Sequence, residues 1–118
     1  MRPSFGLLLV VLTVFAPGCD QGCEEYAAAS VSLEVRGADR QPIPDADVRF
    51  TVDGGEERHA ESFGDGSFVA GYEESGRFEL TITADEHTPA QRAYDVAFEA
   101  DGCHVGTVTD RIELEPEA

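Results

Sequence analysis

Short runs of alternating apolar and polar residues occupy most of the chain from residue 31 onward. Alternation with a period of two is typical of β-strands that bury one face. The clearest run is residues 77–84, in which Phe78, Leu80, Ile82 and Ala84 alternate with polar side chains. We predict seven strands, and the other six cover residues 31–36, 48–52, 58–63, 67–72, 90–100 and 104–115.

The connections between consecutive strands are all shorter than the dozen or more residues that a parallel crossover requires. We therefore predict an all-β fold, a seven-stranded antiparallel Greek-key β-sandwich that follows an N-terminal signal peptide. The sandwich covers residues 30–115, and residues 116–118 form a short tail. A change of phase between Val105 and Val108 predicts a bulge near Gly106.

Residues 1–18 have a different pattern from the rest of the chain. Arg2 is followed by an almost unbroken apolar run over residues 5–15, which Pro17 and Gly18 end. As a helix, this run extends about 16 Å, roughly half the thickness of a hydrocarbon core of about 30 Å. It is too short to span a bilayer comfortably, and we predict a cleavable export signal.

The sequence Val-Phe-Ala-Pro-Gly-Cys, which ends at Cys19, resembles the lipobox of bacterial lipoproteins. In that motif a small residue precedes a cysteine that is diacylated and becomes the mature N-terminus. Gly18 fits the motif, whereas Ala16 and Pro17 depart from it. The resemblance implies a lipoprotein signal peptide over residues 1–18 and lipidation of Cys19. The alternative is an ordinary exported protein with a free thiol at Cys19, but its best cleavage frame places Pro17 directly after the cut.

An acidic and then alanine-rich stretch, residues 19–29, follows the signal. Nothing around it supplies a buried face, so we predict an irregular tether between the anchor and the sandwich. On this interpretation the protein is exported and lipid-anchored in the bacterial cell envelope, either in the periplasm or on the outer surface. Its contact with the membrane is the lipid on Cys19.

The chain has three cysteines, an odd number that needs an explanation in an exported protein. Acylation of Cys19 leaves Cys23 and Cys103 as a pair, and an oxidising compartment favours a disulfide between them. That bond closes a loop of about 80 residues, for which loop entropy gives about 4 to 5 kcal/mol of stabilisation. The alternative pair, Cys19 with Cys23, closes a small loop and stabilises little.

Three segments of the predicted sandwich, residues 41–50, 64–68 and 76–84, together resemble the carboxypeptidase regulatory-like domain. That family has a seven-stranded prealbumin-like, or transthyretin-like, sandwich related in architecture to immunoglobulin-like folds. The resemblance extends from Val31 to Leu114, and no active site comes with it. It implies a non-enzymatic structural or interaction module, displayed by the lipid anchor.

Composition excludes several functions. Of 118 residues, 24 are acidic and eight are basic, giving a net charge of -16, and the chain has no lysine, asparagine or tryptophan. A lysine Schiff base, a P-loop lysine and an N-glycosylation site are therefore impossible. So acidic a surface repels phosphates, and we expect no nucleic acid partner.

Candidate catalytic and metal-binding residues are few. His59, His87 and His104 lack the spacing of a metal site, and no Cys-x-x-Cys is present. Cys103 and His104 are adjacent, but neighbouring residues of a strand point to opposite faces, which disfavours a nucleophile and its base. The C-terminus also lacks the Tyr-Arg-Gly-Ser tail of the transthyretin-like hydrolase. We expect no enzyme, no cofactor and no resident metal.

Two alternatives remain. Acidic loop residues could form a weak calcium site, since calcium prefers oxygen ligands; the candidates are Asp45, Asp47, Asp53, Glu56, Glu57 and Asp65. The module could instead bind carbohydrate or peptide through an exposed cluster of Phe63, Tyr72 and Tyr94, unless these aromatic residues pack in the core or at strand edges. The expected partner, beyond the membrane, is an unidentified envelope protein or polysaccharide.

Overall fold

A computed structural model of the protein describes residues 23–117. The predicted signal peptide, Cys19 and the first part of the tether lie outside the described residues. Within them the chain is all-β, without a helix. Its eight strands are β1 (Ala29–Gly37), β2 (Asp47–Val52), β3 (Arg58–His59), β4 (Glu61–Ser62), β5 (Ser67–Tyr72), β6 (Gly76–Thr83), β7 (Ala90–Val96) and β8 (Val108–Leu114).

The strands form two four-stranded sheets, in the orders β4-β5-β1-β8 and β3-β2-β6-β7. Alternation dictates which side of each sheet is buried: in β6, Phe78, Leu80 and Ile82 are buried, and Glu79 between them is exposed. The apolar faces of the two sheets supply a single core. Its buried residues are Val31, Leu33, Val35, Ala46, Val48, Phe50, Phe68, Ala70, Phe78, Leu80, Ile82, Val96, Val105, Ile112 and Leu114.

The first and last strands pair in parallel, with Val31 opposite Val108 and Gly37 opposite Leu114. The prediction of a wholly antiparallel sandwich is therefore wrong for this one pair, while the other strand pairs are antiparallel. The sequence argument compared only consecutive strands. Because β1 and β8 are joined by all the chain between them, that chain is long enough to return the last strand parallel to the first.

The predicted edge strand over residues 58–63 is divided between the two sheets. Arg58–His59 pairs with β2, whereas Glu61–Ser62 pairs with β5. At the crossing point the Ala60 amide donates to the Val48 carbonyl at 2.9 Å. The structure thus has eight strands instead of the predicted seven, because one extended segment contributes a short edge to each sheet.

Strands β7 and β8 are shorter than predicted, because a loop replaces the predicted last residues of β7 and the predicted first residues of β8. Phe98 and Val105 form an isolated antiparallel bridge, and the Gly106 amide donates to the Ala97 carbonyl at 2.9 Å. The apolar phase changes in this loop, so no bulge within a single strand is needed. Val105 is buried before the loop joins β8, and Ile112 is buried within the strand.

The turn before β5 approaches the chain after β1 closely at Gly66. Its φ is 92°, and a Cβ atom there would lie 2.8 Å from the Pro42 Cβ. The Gly66 carbonyl accepts a 2.8 Å hydrogen bond from the Val35 amide. Glycine is needed at this position for both its conformation and its lack of a side chain.

Candidate functional site

A disulfide between Cys23 and Cys103 joins the first described residue to the loop before β8, with the two Cα atoms 5.4 Å apart. The pairing predicted from the cysteine count is therefore confirmed. β1 begins only at Ala29, so the bond holds a segment without secondary structure against the sandwich. This end of the molecule is where the N-terminal part of the chain is attached.

Glu73, directly after β5, binds both the N-terminal segment and the loop before β8. Its carboxylate accepts hydrogen bonds from the amides of Ala28, at 2.9 Å, and Val105, at 3.0 Å. It also accepts a hydrogen bond from the Nδ1 of His104. The Glu73 amide in turn donates to the Ala28 carbonyl at 2.9 Å. We call Glu73 with Ala28, His104 and Val105 the Glu73 clamp.

The electrostatics of the Glu73 clamp favour its charged form. The hydrogen bonds from the Ala28 amide and from His104 lower the pKa of Glu73 to about 2. The same contact with Glu73 raises the pKa of His104 above its ordinary value. The backbone of Glu73 has a φ of 52°, an uncommon conformation for a residue other than glycine. The clamp thus combines an unusual backbone conformation with an ion pair.

Further contacts surround the clamp. The ring of Tyr26 packs edge-on against the ring of His104, with 4.1 Å between the centroids. Ser30 is fully buried, and its Oγ donates to the Glu74 carbonyl at 2.8 Å and accepts from the Glu74 amide at 3.0 Å. Arg58 of the other sheet donates to the Glu74 carboxylate at 2.6 Å. Both sheets therefore contribute to holding this end.

The thiol and hydroxyl groups next to the clamp already have partners. The Cys103 sulfur is in the disulfide, and the Ser30 hydroxyl is buried with both its donor and an acceptor site in use. His104 faces a carboxylate and an aromatic ring, and its Nδ1 hydrogen-bonds to Glu73. The neighbouring residues Cys103 and His104 therefore make different contacts: Cys103 forms the disulfide, and His104 binds Glu73.

The three histidines contact three different groups. His59 is 3.4 Å from a carboxylate oxygen of Asp47, His87 interacts through its Nδ1 with the Asp85 carbonyl at 2.8 Å, and His104 belongs to the clamp. Among residues 23–117, no group of three or more His, Cys, Asp or Glu side chains is placed to hold a metal ion.

Four of the six acidic residues considered for calcium have other contacts, and one of these is Glu57, which lies 3.5 Å from an Arg49 nitrogen. Asp53 accepts a hydrogen bond from the Arg77 amide at 2.8 Å, and Asp65 accepts one from the Ser67 amide at 3.0 Å. Asp47 accepts a hydrogen bond from the Arg49 side chain at 2.8 Å. These carboxylates close turns and pair with arginine, and they are dispersed over the surface.

The three candidate aromatic residues do not form one cluster. Phe63 is 53% exposed and Tyr72 is 42% exposed. The Phe63 amide donates to the carbonyl of Ser67, the first residue of β5. Tyr72 lies five residues after Ser67, about 16 Å along the same strand. Tyr94 packs against the core, and its hydroxyl donates to Asp110 at 2.6 Å. Burial of the Tyr94 hydroxyl is the main cause of its raised pKa, and the Asp110 carboxylate raises the pKa further.

Sequence reasoning missed Glu73, because nothing in the alternation distinguishes it from the other acidic residues between strands. Its role depends on two backbone amides that are distant in sequence, at Ala28 and Val105. The available signal was indirect: a turn follows Tyr72, and Cys103 marks the loop that Glu73 contacts. Within residues 23–117, no helix has the length and apolar character needed to cross a membrane.

Comparison with solved structures supports the architecture. The structure of BcpA, the major pilin subunit of Bacillus cereus, matches 78% of the chain with a TM-score of 0.55 and 16% sequence identity. The chain spans 30% of the length of that pilin. At this identity the likeness shows an all-β fold and nothing about function.

A second structure, of the C-terminal domain of the Caf1A usher, has 13% sequence identity and covers 75% of the chain. Its TM-score of 0.38 is too low to support an argument. No protein-family model matches the sequence, and no curated protein matches it. The likeness to BcpA therefore agrees with an all-β fold, and the comparisons assign no family.

Proposed function

We propose that the protein is a non-enzymatic, lipid-anchored protein of the bacterial cell envelope that displays one β-sandwich as a structural or interaction module. The observation that carries the proposal is the attachment of the N-terminal segment at one end of the sandwich by the Cys23–Cys103 disulfide and the Glu73 clamp. This double attachment lies just after the lipobox-like sequence that ends at Cys19.

The disulfide supports export, because structural disulfides persist in oxidising compartments and are rare in the cytosol. Cys23 is four residues after Cys19, so an extended chain between them spans about 14 Å at most. A lipid on Cys19 therefore keeps the disulfide end of the sandwich close to the membrane. The opposite end of the sandwich then faces away from it.

The charge of the chain agrees with this arrangement. All the acidic residues lie after residue 18, as do all the arginines except Arg2. An acidic domain is repelled by anionic head groups, so the lipid is the attachment and the domain stays in solution above the surface. The resemblance of residues 41–50, 64–68 and 76–84 to carboxypeptidase regulatory-like domains supports a module without an active site.

Expression of the full chain in a bacterial host with lipoprotein export tests the proposal. With labelled palmitate in the medium, we expect the wild-type protein to incorporate the label and the Cys19→Ser variant to incorporate none, because only Cys19 accepts the lipid. The double variant Cys23→Ser and Cys103→Ser is the matched control and keeps the label. Equal labelling of the wild type and Cys19→Ser, or no label in the wild type, contradicts the proposal.

A further inference from the structure

Three of the eight arginines line one groove at the end of the sandwich opposite the disulfide. Arg36, Arg40 and Arg111, together with Glu113, surround a groove of about 480 Å³, which we call the arginine groove. Arg36 is seven residues after Ala29 in β1, or about 23 Å along the strand from the end where the N-terminal segment is attached. The volume is within the range of small-ligand sites, about 300 to 1,000 Å³.

The parallel pairing of β1 with β8 brings these arginines together. It places Glu34 opposite Arg111 and Arg36 opposite Glu113. Glu34 then accepts from Arg111 Nε at 2.9 Å with one oxygen and pairs with an Arg36 nitrogen at 3.1 Å with the other. These two arginines, Arg111 first, hold the pKa of Glu34 below its ordinary value. Glu34 therefore stays ionised and orients two guanidinium groups beside the groove.

The groove retains unused hydrogen-bond donors. The Nε of Arg36 is buried without a hydrogen-bond partner among residues 23–117, so the donors that Arg36 offers to the groove are its terminal nitrogens. Arg40 has a φ of 69° in the turn after β1, and its amide donates to the Gly37 carbonyl. No carboxylate within the described part of the chain pairs with the Arg40 side chain. A guanidinium carries five N–H donors, so the groove can satisfy several acceptor oxygens.

We propose that the arginine groove binds a small ligand through an oxyanion group, a carboxylate or a phosphate. Guanidinium forks match both groups in geometry and charge. An extended polyanion is disfavoured, because beyond the groove it meets the surface of a chain with a net charge of -16. Charges separated by more than about 8 Å are largely screened at physiological salt, so one compact anion interacts mainly with the local charges, which are Arg36, Arg40 and Arg111 against Glu34 and Glu113. This inference does not depend on the lipid anchor.

Proton–nitrogen correlation spectra of the arginine Nε–H groups, recorded on the isotope-labelled protein as it is isolated, test the groove directly. The titrants are inorganic phosphate and citrate, with sodium chloride at matched ionic strength as the control. We expect saturable shifts for Arg36, Arg40 and Arg111, and only the salt response for Arg77 and Arg92 on the other sheet. Saturation by phosphate alone or by citrate alone supports the site and identifies its preferred anion. Equal shifts at all arginines, or none beyond the chloride control, overturn it.

Variants separate binding from a general charge effect. Arg40→Gln removes a guanidinium from a turn and is expected to weaken binding of the preferred anion about tenfold, the loss expected for a charge-assisted hydrogen bond. Arg77→Gln makes the same charge change on the other sheet and serves as the matched control. Unchanged binding in Arg40→Gln, or an equal loss in Arg77→Gln, contradicts the proposal.

Discussion

Glu73 and His104 form an ion pair that joins the end of β5 to the loop before β8, beside the disulfide. The same carboxylate accepts the Ala28 amide, so one side chain links three parts of the chain that are distant in sequence. The N-terminal segment is consequently attached to the sandwich by a covalent bond and by a polar clamp. The two attachments act on the same loop, through Cys103 and His104.

Replacing Glu73 with Gln is expected to lower the melting temperature and to speed hydrogen exchange at the amides of Ala28 and Val105. The amide side chain keeps the shape but loses the charge that strengthens these hydrogen bonds. Differential scanning calorimetry and amide exchange measure the two effects. Glu79→Gln is the control, because Glu79 is exposed on β6. Unchanged exchange at both amides contradicts the role given to Glu73.

The clamp also predicts how stability depends on pH. Glu73 has a pKa of about 2 against an ordinary 4.5, so its contribution is present above 4.5 and is lost as the pH falls toward 2. His104 has a raised pKa, so its contribution is present below its ordinary value of 6.5 and is lost as the pH rises through the raised value. The clamp therefore stabilises most between pH 4.5 and 6.5.

Thermal unfolding of His104→Asn from pH 5 to pH 9 isolates the histidine contribution. Asparagine can donate to Glu73 but does not titrate, so we expect the alkaline loss of stability seen in the wild type to be reduced. His87→Asn is the matched control, since His87 interacts with the Asp85 carbonyl. The same alkaline slope in the wild type and in His104→Asn contradicts the assignment.

Removal of the disulfide is expected to lower the free energy of unfolding strongly. The bond joins residues 80 apart in sequence, and loop entropy gives a loss of about 4 to 5 kcal/mol in the free energy of unfolding for the double variant Cys23→Ala and Cys103→Ala. Denaturant unfolding without reductant measures it. Reduction of the wild type is the control and should produce a similar loss. Coincident unfolding curves for the wild type and the double variant contradict the prediction.

Two phenylalanines separate core packing from surface exposure. Phe78 is fully buried, and its ring is stacked 5.7 Å from that of Phe50, whereas Phe98 is 46% exposed. We expect Phe78→Ala to lower the free energy of unfolding by about 3 to 5 kcal/mol, because it leaves a cavity. Phe98→Ala should cost much less. Equal losses, measured by denaturant unfolding, contradict the packing described for β6.

The alternation of apolar and polar residues correctly predicted the main strands and their buried faces. The alternation around Phe78, Leu80 and Ile82 fixed both the strand and its buried face, because a strand between two sheets must bury every second side chain. The disulfide followed from the cysteine count. The aromatic candidates Phe63 and Tyr72 were less well predicted, since their positions at strand ends leave them exposed and apart.

The remaining features depend on contacts that no local pattern encodes. The parallel pairing of Val31 with Val108 requires knowing that the last strand returns beside the first. The arginine groove follows from the same pairing, because Arg36 and Arg111 are neighbours only in that register. Ala60 lies between residues that belong to different sheets, although residues 58–63 resemble one edge strand in sequence.

The central claim is that the sandwich is held at a membrane through a lipid on Cys19. Intact-mass spectrometry of the wild-type protein, extracted from the membrane fraction and left unreduced, tests it most directly. The account predicts a chain that begins at Cys19, carries acyl groups and contains the Cys23–Cys103 disulfide. An unacylated mass, with a free thiol at Cys19 or with a different N-terminus, would contradict it.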